Sequence, residues 1–309
     1  MTGPSTAPNS RIVIAGGSGF IGGALATRLI ERRHDVVVLT RNAGARTDGV
    51  REVAWNGRTL SDWTTELDGA AAIINVTGKS VSSRHTEKNR REILSSRVEP
   101  VRVIGEALAA SLAPPPVWVQ ASAVGIYGNA GDALCDENSP HGQDFMAEVC
   151  EQWEAAFRMG LIRGTRGVVL RFGVVLGREA GALPMLAHLA RLGLGGAAGS
   201  GRQYISWIHI DDLVAVVERA LGSRMVGPYN ACNHVPETNA SFMKRLRKAV
   251  HRPWSPPVPA FAVKLGSYVI GVEPSVALGG QRCMPRRLDE EGFAFAHEDL
   301  GVALKGLLS

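Results

Sequence analysis

The chain has 309 residues, of which 45% are hydrophobic and 20% charged. It can therefore form one large α/β domain, or such a domain with a smaller lobe, without disulfides. A net charge of +5 with dispersed basic residues argues against nucleic-acid binding, and no apolar run is long enough to span a bilayer. Four scattered cysteines and a polar N-terminus without signal-peptide features predict a reduced, cytoplasmic protein with no metal site and a flexible lead over residues 1–10.

The first predicted elements form a strand–helix–strand unit. Residues 11–15 (RIVIA) are a β-branched run typical of a buried strand, and residues 21–33 carry apolar side chains at helical spacing. Residues 35–40 (DVVVLT) form a second buried strand. Such a unit requires parallel strands joined by a right-handed crossover.

The same alternation continues along the chain. Strands are predicted at residues 70–76, 117–121 and 168–172, with helices at 86–110 and 144–158. This order predicts an α/β fold with a Rossmann-type, doubly wound parallel sheet. We expect the Rossmann domain to span residues 11–180, with 206–235 returning to it. Residues 181–205 and 236–309 would form a small, mostly helical substrate-side lobe that includes a helix at 213–221.

A glycine-rich turn joins the first strand to the first helix. Gly16, Gly19 and Gly22 allow a tight turn, close approach of the backbone to a pyrophosphate, and close packing of helix on strand. The helix N-terminus then offers free N–H groups to phosphates. The turn therefore predicts a dinucleotide site, whose phosphate loop consists of Gly16, Gly17, Ser18, Gly19, Phe20, Ile21 and Gly22.

The end of the second strand indicates which dinucleotide is bound. NAD sites place a carboxylate there to bind the ribose hydroxyls, whereas this strand ends in Thr40 and Arg41. A guanidinium pairs well with a 2′-phosphate. The sequence therefore predicts NADP(H) as the cofactor.

The glycine loop, GGSGFIG, resembles that of extended short-chain dehydrogenases/reductases. Further blocks in this chain are LGLGG at 192–196, GSGRQY at 199–204 and WIHIDD at 207–212. With GGQR at 279–282, they resemble an atypical subgroup, the NADP-binding "epimerase family proteins". The resemblance covers nearly all of the chain after residue 10 and implies NADP(H) binding, but no particular substrate. It adds the following residues to the predicted cofactor contacts: Val76, Thr77, Gly78, Arg97, Ser122 and Val175.

The expected catalytic groups are only partly present. Most of the superfamily uses a serine, a tyrosine as acid/base and a lysine that lowers the tyrosine pKa. Ser122 matches the serine, but Phe145 and Val149 stand where the resemblance places Tyr-x-x-x-Lys, and no tyrosine in the chain has a lysine four residues later. Tyr127, near Ser122, is the first candidate for a replacement, and its alternative interpretation is a core tyrosine.

Substrate contacts are predicted at two positions. Arg202, in a glycine-rich loop, could hold an anionic substrate, with Arg171 as a weaker candidate. His209 could titrate near neutrality, although its strand-like surroundings also suit a structural histidine.

Two functions follow from these features. The first is an NADP(H)-dependent reductase or epimerase acting on a small polar substrate. The second is a catalytically silent NADP(H)-binding sensor or regulatory module, which the missing tyrosine and lysine favour. By analogy with the superfamily, we expect a homodimer formed through the helices at 86–110 and 144–158.

Overall fold

The computed structural model describes residues 9–252, 254–271 and 273–309. The predicted flexible lead falls mostly on residues 1–8, which lie outside the described residues. The strands, in chain order, are β1 (Arg11–Ala15), β2 (Asp35–Thr40), β3 (Arg51–Ala54), β4 (Ala72–Asn75), β5 (Val117–Ala123), β6 (Leu134–Cys135), β7 (Arg166–Phe172), β8 (Val174–Leu176), β9 (Tyr204–Ile205), β10 (Trp207–His209), β11 (Gly227–Ala231), β12 (Glu237–Thr238) and β13 (Arg282–Cys283).

The helices cover and follow these strands. They are α1 (Phe20–Glu31), α2 (Glu87–Ala110), α3 (Phe145–Gly160), α4 (Leu183–Arg191), α5 (Ile210–Gly222), α6 (Asn239–Ala249), α7 (Ala260–Ile270), α8 (Pro274–Leu278), α9 (Arg286–Glu290) and α10 (Leu300–Leu308). None of the helices in the described ranges combines the length and the apolar character that crossing a membrane requires.

Seven parallel strands form the central sheet, in the order β11-β7-β5-β4-β1-β2-β3. The strand order reverses between β1 and β4, which is where open α/β sheets bind ligands beyond the carboxyl ends of their strands. The predicted Rossmann-type sheet is therefore confirmed. The sequence did not indicate β3 or β11, the two edge strands.

Helices bury both faces of this sheet. On one face, α1 and α5 pack Leu25 and Val216 against β-branched residues such as Ile12. On the other, α2 and α3 contribute Ile104 and Trp153 to a second core. Because helices cover both faces of the sheet, each central strand is buried on both sides, and its sequence is therefore a continuous apolar run.

The C-terminal region adds a smaller core beside the sheet. It is built mainly from α4, α6 and α10, with Phe242 and Leu304 fully buried at its centre. Asp212 joins this region to the Rossmann layer, because its carboxylate accepts hydrogen bonds from the backbone N–H groups of Ala296 and His297 at 2.8 and 3.1 Å.

The helix predicted at 213–221 begins three residues earlier, at Ile210. The His209 ring caps it, since Nδ1 accepts a hydrogen bond from the backbone N–H of Asp211 at 3.1 Å. The strand-like surroundings predicted for His209 correspond to β10, which ends at this residue. The earlier start of the helix was not predicted, because histidine is not one of the usual capping residues.

Candidate functional site

The glycine turn between β1 and α1 is tight enough to exclude side chains. Gly16 has φ +84°, and a Cβ built there would lie 3.1 Å from the backbone nitrogen of Thr77. A Cβ on Gly22 would lie 2.4 Å from the Gly16 carbonyl oxygen. Gly19 caps α1 without a side-chain hydrogen bond. The first-turn N–H groups of α1 therefore have no side-chain acceptor at their cap, as expected of a helix that binds an anion.

A cavity of about 790 Å³ opens over this turn. Its size falls within the range of about 300–1,000 Å³ that is usual for cofactor and ligand sites. The predicted cofactor residues that line it are Gly16, Ser18, Gly19, Thr40, Arg41, Val76, Thr77 and Gly78. The carboxyl ends of β1, β2 and β4 thus bring most of the predicted cofactor residues together at the switch point of the sheet.

The buried side chain of Asn75 shapes the edge of this cavity. Its Oδ1 accepts hydrogen bonds from the backbone N–H of Thr77 at 3.1 Å and from the Thr77 hydroxyl at 2.7 Å. Its Nδ2 donates to Gln120 at 3.0 Å. Asn75 therefore fixes the turn after β4 and ties it to β5.

Other predicted cofactor residues do not line the cavity but pack behind it, between α1 and the sheet. Gly17 lies against Val38, whose methyl groups would be 2.5 Å from an added Cβ. Ile21 and Val175 pack onto the sheet core. Phe20 lies across the segment at Gly177, where an added Cβ would come within 2.3 Å of its ring. These residues hold α1 against the strands.

Arg97 on α2 reaches back to the loop after β4. Its guanidinium carbon lies 3.2 Å from the position a Cβ on Gly78 would take, and it lies 5.2 Å from the centroid of the Trp153 ring. Burial lowers the pKa of Arg97. It donates to the Ile93 carbonyl oxygen at 3.0 Å, and in the described part of the chain no carboxylate pairs with it. An anion at the Gly78 loop would therefore compensate its half-buried charge.

The cavity rim at β2 and β3 is basic. Arg41 is exposed there, and no side chain in the described ranges pairs with it. Arg58 also lines the cavity, with its Nε donating to Glu99 at 2.7 Å. Trp55, 6% exposed, lines the cavity with an indole N–H that has no partner. The sequence analysis missed Trp55 and Arg58, because the edge strand β3 that positions them carries no clear hydrophobic pattern.

Ser122 and Tyr127 belong to a buried polar network rather than to the cavity. Glu154 accepts hydrogen bonds from the Ser122 hydroxyl at 2.7 Å and from Nε of Arg171 at 2.9 Å. Arg171 also donates to the Tyr127 hydroxyl at 2.9 Å, and Tyr127 donates to Oδ1 of Asn230 at 2.7 Å. Arg171 is therefore fully engaged within the protein, which argues against its role as a substrate ligand.

The environment of Tyr127 does not suit an acid/base. The side chain is 3% exposed, and burial raises its pKa above the usual value, an effect that outweighs the opposing influence of Arg171. A catalytic tyrosine requires a lowered pKa and access to substrate. This geometry favours the alternative interpretation of Tyr127 as a core tyrosine that links β7 and β11.

Phe145 begins α3, and it stands where the sequence resemblance places the catalytic tyrosine of the superfamily. The ring contacts His85 edge-on, with centroids 4.9 Å apart, and the guanidinium of Arg90 lies 4.4 Å above it. The backbone N–H of His85 donates to Glu273 at 2.9 Å, and its Nδ1 lies 4.0 Å from the same carboxylate. An imidazole and a carboxylate thus lie beside each other near Phe145. Their contact could not be predicted from the sequence, because residues 85 and 273 are far apart in the chain.

The two predicted substrate residues lie in different settings. Arg202 has an 80% exposed side chain, 3.6 Å from the carboxylate of Asp132. His209 is 5% exposed and stacks on His297, with centroids 3.7 Å apart. Burial first, and then His297, lower the pKa of His209. His209 is therefore held as a neutral, structural histidine.

His209, Asp211 and His297 offer three donor atoms within 4.8 Å of one another. The two rings are nearly parallel, at 20°. Because a metal ion lies in the plane of each imidazole that binds it, at about 2.0–2.1 Å, two stacked rings cannot share one ion without rearranging. The arrangement as it stands does not suit a metal.

Comparison with known proteins agrees with this geometry. The NAD dependent epimerase/dehydratase family matches residues 12–232, and a domain of unknown function, DUF1731, matches residues 258–307. The chain is 36% identical over 306 residues to the epimerase family protein SDR39U1 of Bos taurus, covering 97% of this chain and 100% of that protein. It is 34% identical over 309 residues to YfhF of Bacillus subtilis, covering 96% and 98% of the two chains.

A solved structure extends the comparison. The human epimerase family protein SDR39U1 (isoform 2), crystallised with NADPH, superimposes with a TM-score of 0.86 at 33% identity, over 96% of this chain and 99% of that one. The sequence match and the fold thus agree over the whole length of both proteins, and the chain belongs to the NAD dependent epimerase/dehydratase family, among the epimerase family proteins.

Proposed function

We propose that this protein binds NADP(H) in the cavity over the glycine turn and uses it in a redox reaction on a small polar substrate. The observation that carries the cofactor assignment is Arg41, a cation with no partner side chain among the described residues, at the end of β2 where an NAD site would present a carboxylate. The NADPH-bound human relative supports the same cofactor.

Each charged part of the cofactor has a matching group in the cavity. The α1 N-terminus and the Gly16–Gly19 backbone would hold the pyrophosphate. Arg41 would bind the 2′-phosphate, with Arg58 beside it. The unpartnered indole N–H of Trp55 would donate to the adenosine end. Arg97, which is half-buried and has no carboxylate partner among the described residues, would face the cofactor across Gly78.

The bound nicotinamide would supply or accept a hydride at a carbonyl or carbinol carbon. The protein must then move a proton to or from the substrate oxygen. Tyr127 and Ser122 are engaged in the buried network, so we assign this task to His85, which contacts Phe145 and lies beside Glu273. Its side chain is 8% exposed and its Nε2 lies 3.1 Å from the Val81 carbonyl oxygen, a contact that must open for the ring to reach a substrate. An imidazole can accept or donate a proton without a lysine partner.

A catalytically silent NADP(H)-binding module is the second candidate. It is favoured by the apolar Phe145 and by Val149, which is only 1% exposed. In that case the cavity would report the NADPH/NADP⁺ ratio through binding alone.

Single-turnover oxidation of bound NADPH separates the two functions. The protein would be loaded with NADPH and mixed with a panel of ketones and nucleotide sugars while the loss of NADPH is followed. An enzyme should oxidise the cofactor with at least one compound, and His85→Gln should slow this about 100-fold or more. The exposed His188 on α4 provides the control, His188→Gln, which should leave the rate unchanged. Tight NADPH binding without oxidation by any compound would favour the silent module.

A further inference from the structure

Two short strands bring a pair of cysteines together outside the cofactor site. β6 and β13 are parallel, and their register places Cys283 directly opposite Cys135. The two residues are 148 positions apart in the sequence. Both are buried, 4% and 0% exposed.

The spacing of this pair suits a disulfide. Neighbouring strands lie about 4.7–4.9 Å apart, and directly opposed side chains leave the same face of a sheet. Disulfides join residues whose Cα atoms are about 4.4–6.8 Å apart. Both side chains enter the same apolar cluster, together with Ile126 and Tyr127. The strands therefore place the two cysteines opposite each other, at a backbone spacing that a disulfide can span without any change of register.

The two thiols are also chemically unequal. The proximity of the two side chains lowers the pKa of Cys135 and raises the pKa of Cys283, which burial raises further. The Cys135 thiol donates to the Ala133 carbonyl oxygen at 3.7 Å. The thiolate is the reactive form of cysteine. Cys135 is the more accessible of the two side chains, at 4% exposed against 0% for Cys283, so we assign it as the thiol that reacts first.

The other two cysteines, Cys150 and Cys232, belong to the same apolar cluster but are not paired across strands. Burial raises the pKa of Cys150 to about 12 and raises that of Cys232 well above its usual value. Neither has a cysteine opposite it in any strand pairing of the described residues. They serve as internal comparisons.

We propose that Cys135 and Cys283 form a redox modification site that is oxidised reversibly to a disulfide by a hydroperoxide. The Cys135 thiolate attacks the peroxide oxygen, which breaks the O–O bond, releases water or an alcohol after protonation, and leaves a sulfenic acid. The Cys283 thiol then attacks the sulfenic sulfur, and a water molecule carries away the oxygen and the thiol proton. The peroxide is reduced by two electrons, and a dithiol reductant restores both thiols by exchange.

The disulfide would join two segments that already share the buried polar network. Next to β6, Glu137 accepts hydrogen bonds from the backbone N–H of Asn230 at 2.9 Å. Next to β13, the Met284 carbonyl accepts from Nδ2 of Asn230 at 3.0 Å. Oxidation would therefore lock the C-terminal segment onto β11, and closing so long a loop restricts the unfolded chain.

The test uses the full chain, reduced and then titrated with hydrogen peroxide. Peptide mass spectrometry without reduction should find residues 135 and 283 in one linked species, lighter than the two free peptides by two hydrogen atoms. Dithiothreitol should reverse the link, and the oxidised protein should melt several degrees higher than the reduced one. The measurement needs no variant, so it does not depend on the folding of a mutant.

Variants then identify the partners. Cys135→Ala and Cys283→Ala should each abolish the link, whereas Cys150→Ala should leave it intact. Oxidation of Cys135 to a sulfinic acid without any link would overturn the proposal. A link that survives in Cys283→Ala, or peroxide titration that leaves all four thiols free, would do so as well.

Discussion

At the scale of single residues, burial decides what each arginine does. Among the described residues, Arg41 is exposed without a partner side chain, Arg97 is half-buried without a carboxylate, and Arg171 is fully buried against Glu154. Arg41 and Arg97 are therefore available to bind an anion, whereas Arg171 is part of the folded core. The sequence indicated Arg41 and Arg97 but could not show the burial and the ion pair with Glu154 that distinguish Arg171 from them.

The glycine turn provides a matched pair of substitutions. Gly22→Ala places a methyl group 2.4 Å from the Gly16 carbonyl, whereas Gly23→Ala meets no atom closer than 4.0 Å. We expect Gly22→Ala to cost about 1–3 kcal/mol of stability through overpacking and to abolish NADPH binding. Gly23→Ala should retain binding and gain about 0.5–1 kcal/mol. Thermal melts and NADPH titration check both, and equal behaviour of the two variants would contradict this account of the turn.

The buried ion pair gives a second prediction. Glu154→Ala leaves Arg171 without its carboxylate, in a site where both side chains are about 3–4% exposed, so denaturation should show a loss of about 3–5 kcal/mol. Glu151→Ala, on the exposed side of the same helix, should cost less than about 1 kcal/mol. A similar small loss for both would show that the network is not a structural support. The double variant Glu154→Leu/Arg171→Met should recover most of the stability.

At the scale of elements, the clearest differences from the sequence-based expectations lie at edges and caps. The five central strands were predicted because burial on both faces makes each a continuous apolar run. β3 and β11 were missed because edge strands are partly exposed, as in REVA and GPYNA. The residues that β3 positions, Trp55 and Arg58, were missed with it. His85 was missed because only the folded chain brings Glu273 beside it.

The cap of α5 makes stability depend on pH. Burial and His297 lower the pKa of His209 below its usual 6.5, so below that pH the unfolded chain binds a proton that the folded chain resists, and folding becomes less favourable. Acidification from pH 7 to pH 5 should therefore destabilise the native protein through this residue. His209→Asn, which keeps a capping side chain, should lose this part of the pH dependence, whereas His209→Ala should also lose about 1 kcal/mol at pH 7. Chemical denaturation at several pH values measures both, and an unchanged pH profile in His209→Asn would contradict the assignment.

At the scale of the whole molecule, the switch point of the sheet explains the position of the cavity. β1, β2 and β4 end around it, and their loops supply the glycine turn, Arg41 and Thr77. The sequence predicted this arrangement because fold and cofactor loop are encoded locally. The reaction could not be predicted in the same way, because the residue at the tyrosine position is Phe145 and its neighbours come from distant segments.

The central claim is that Arg41 selects NADP(H), and titration of wild-type and Arg41→Ala protein with NADPH and NADH tests it most directly. A charge-assisted hydrogen bond contributes about 1.5–3 kcal/mol, so Arg41→Ala should weaken NADPH binding about ten- to a hundredfold and leave NADH binding nearly unchanged. Arg33→Ala, a change of an exposed arginine outside the cavity, should affect neither cofactor. Equal losses for NADPH and NADH in Arg41→Ala would contradict the assignment.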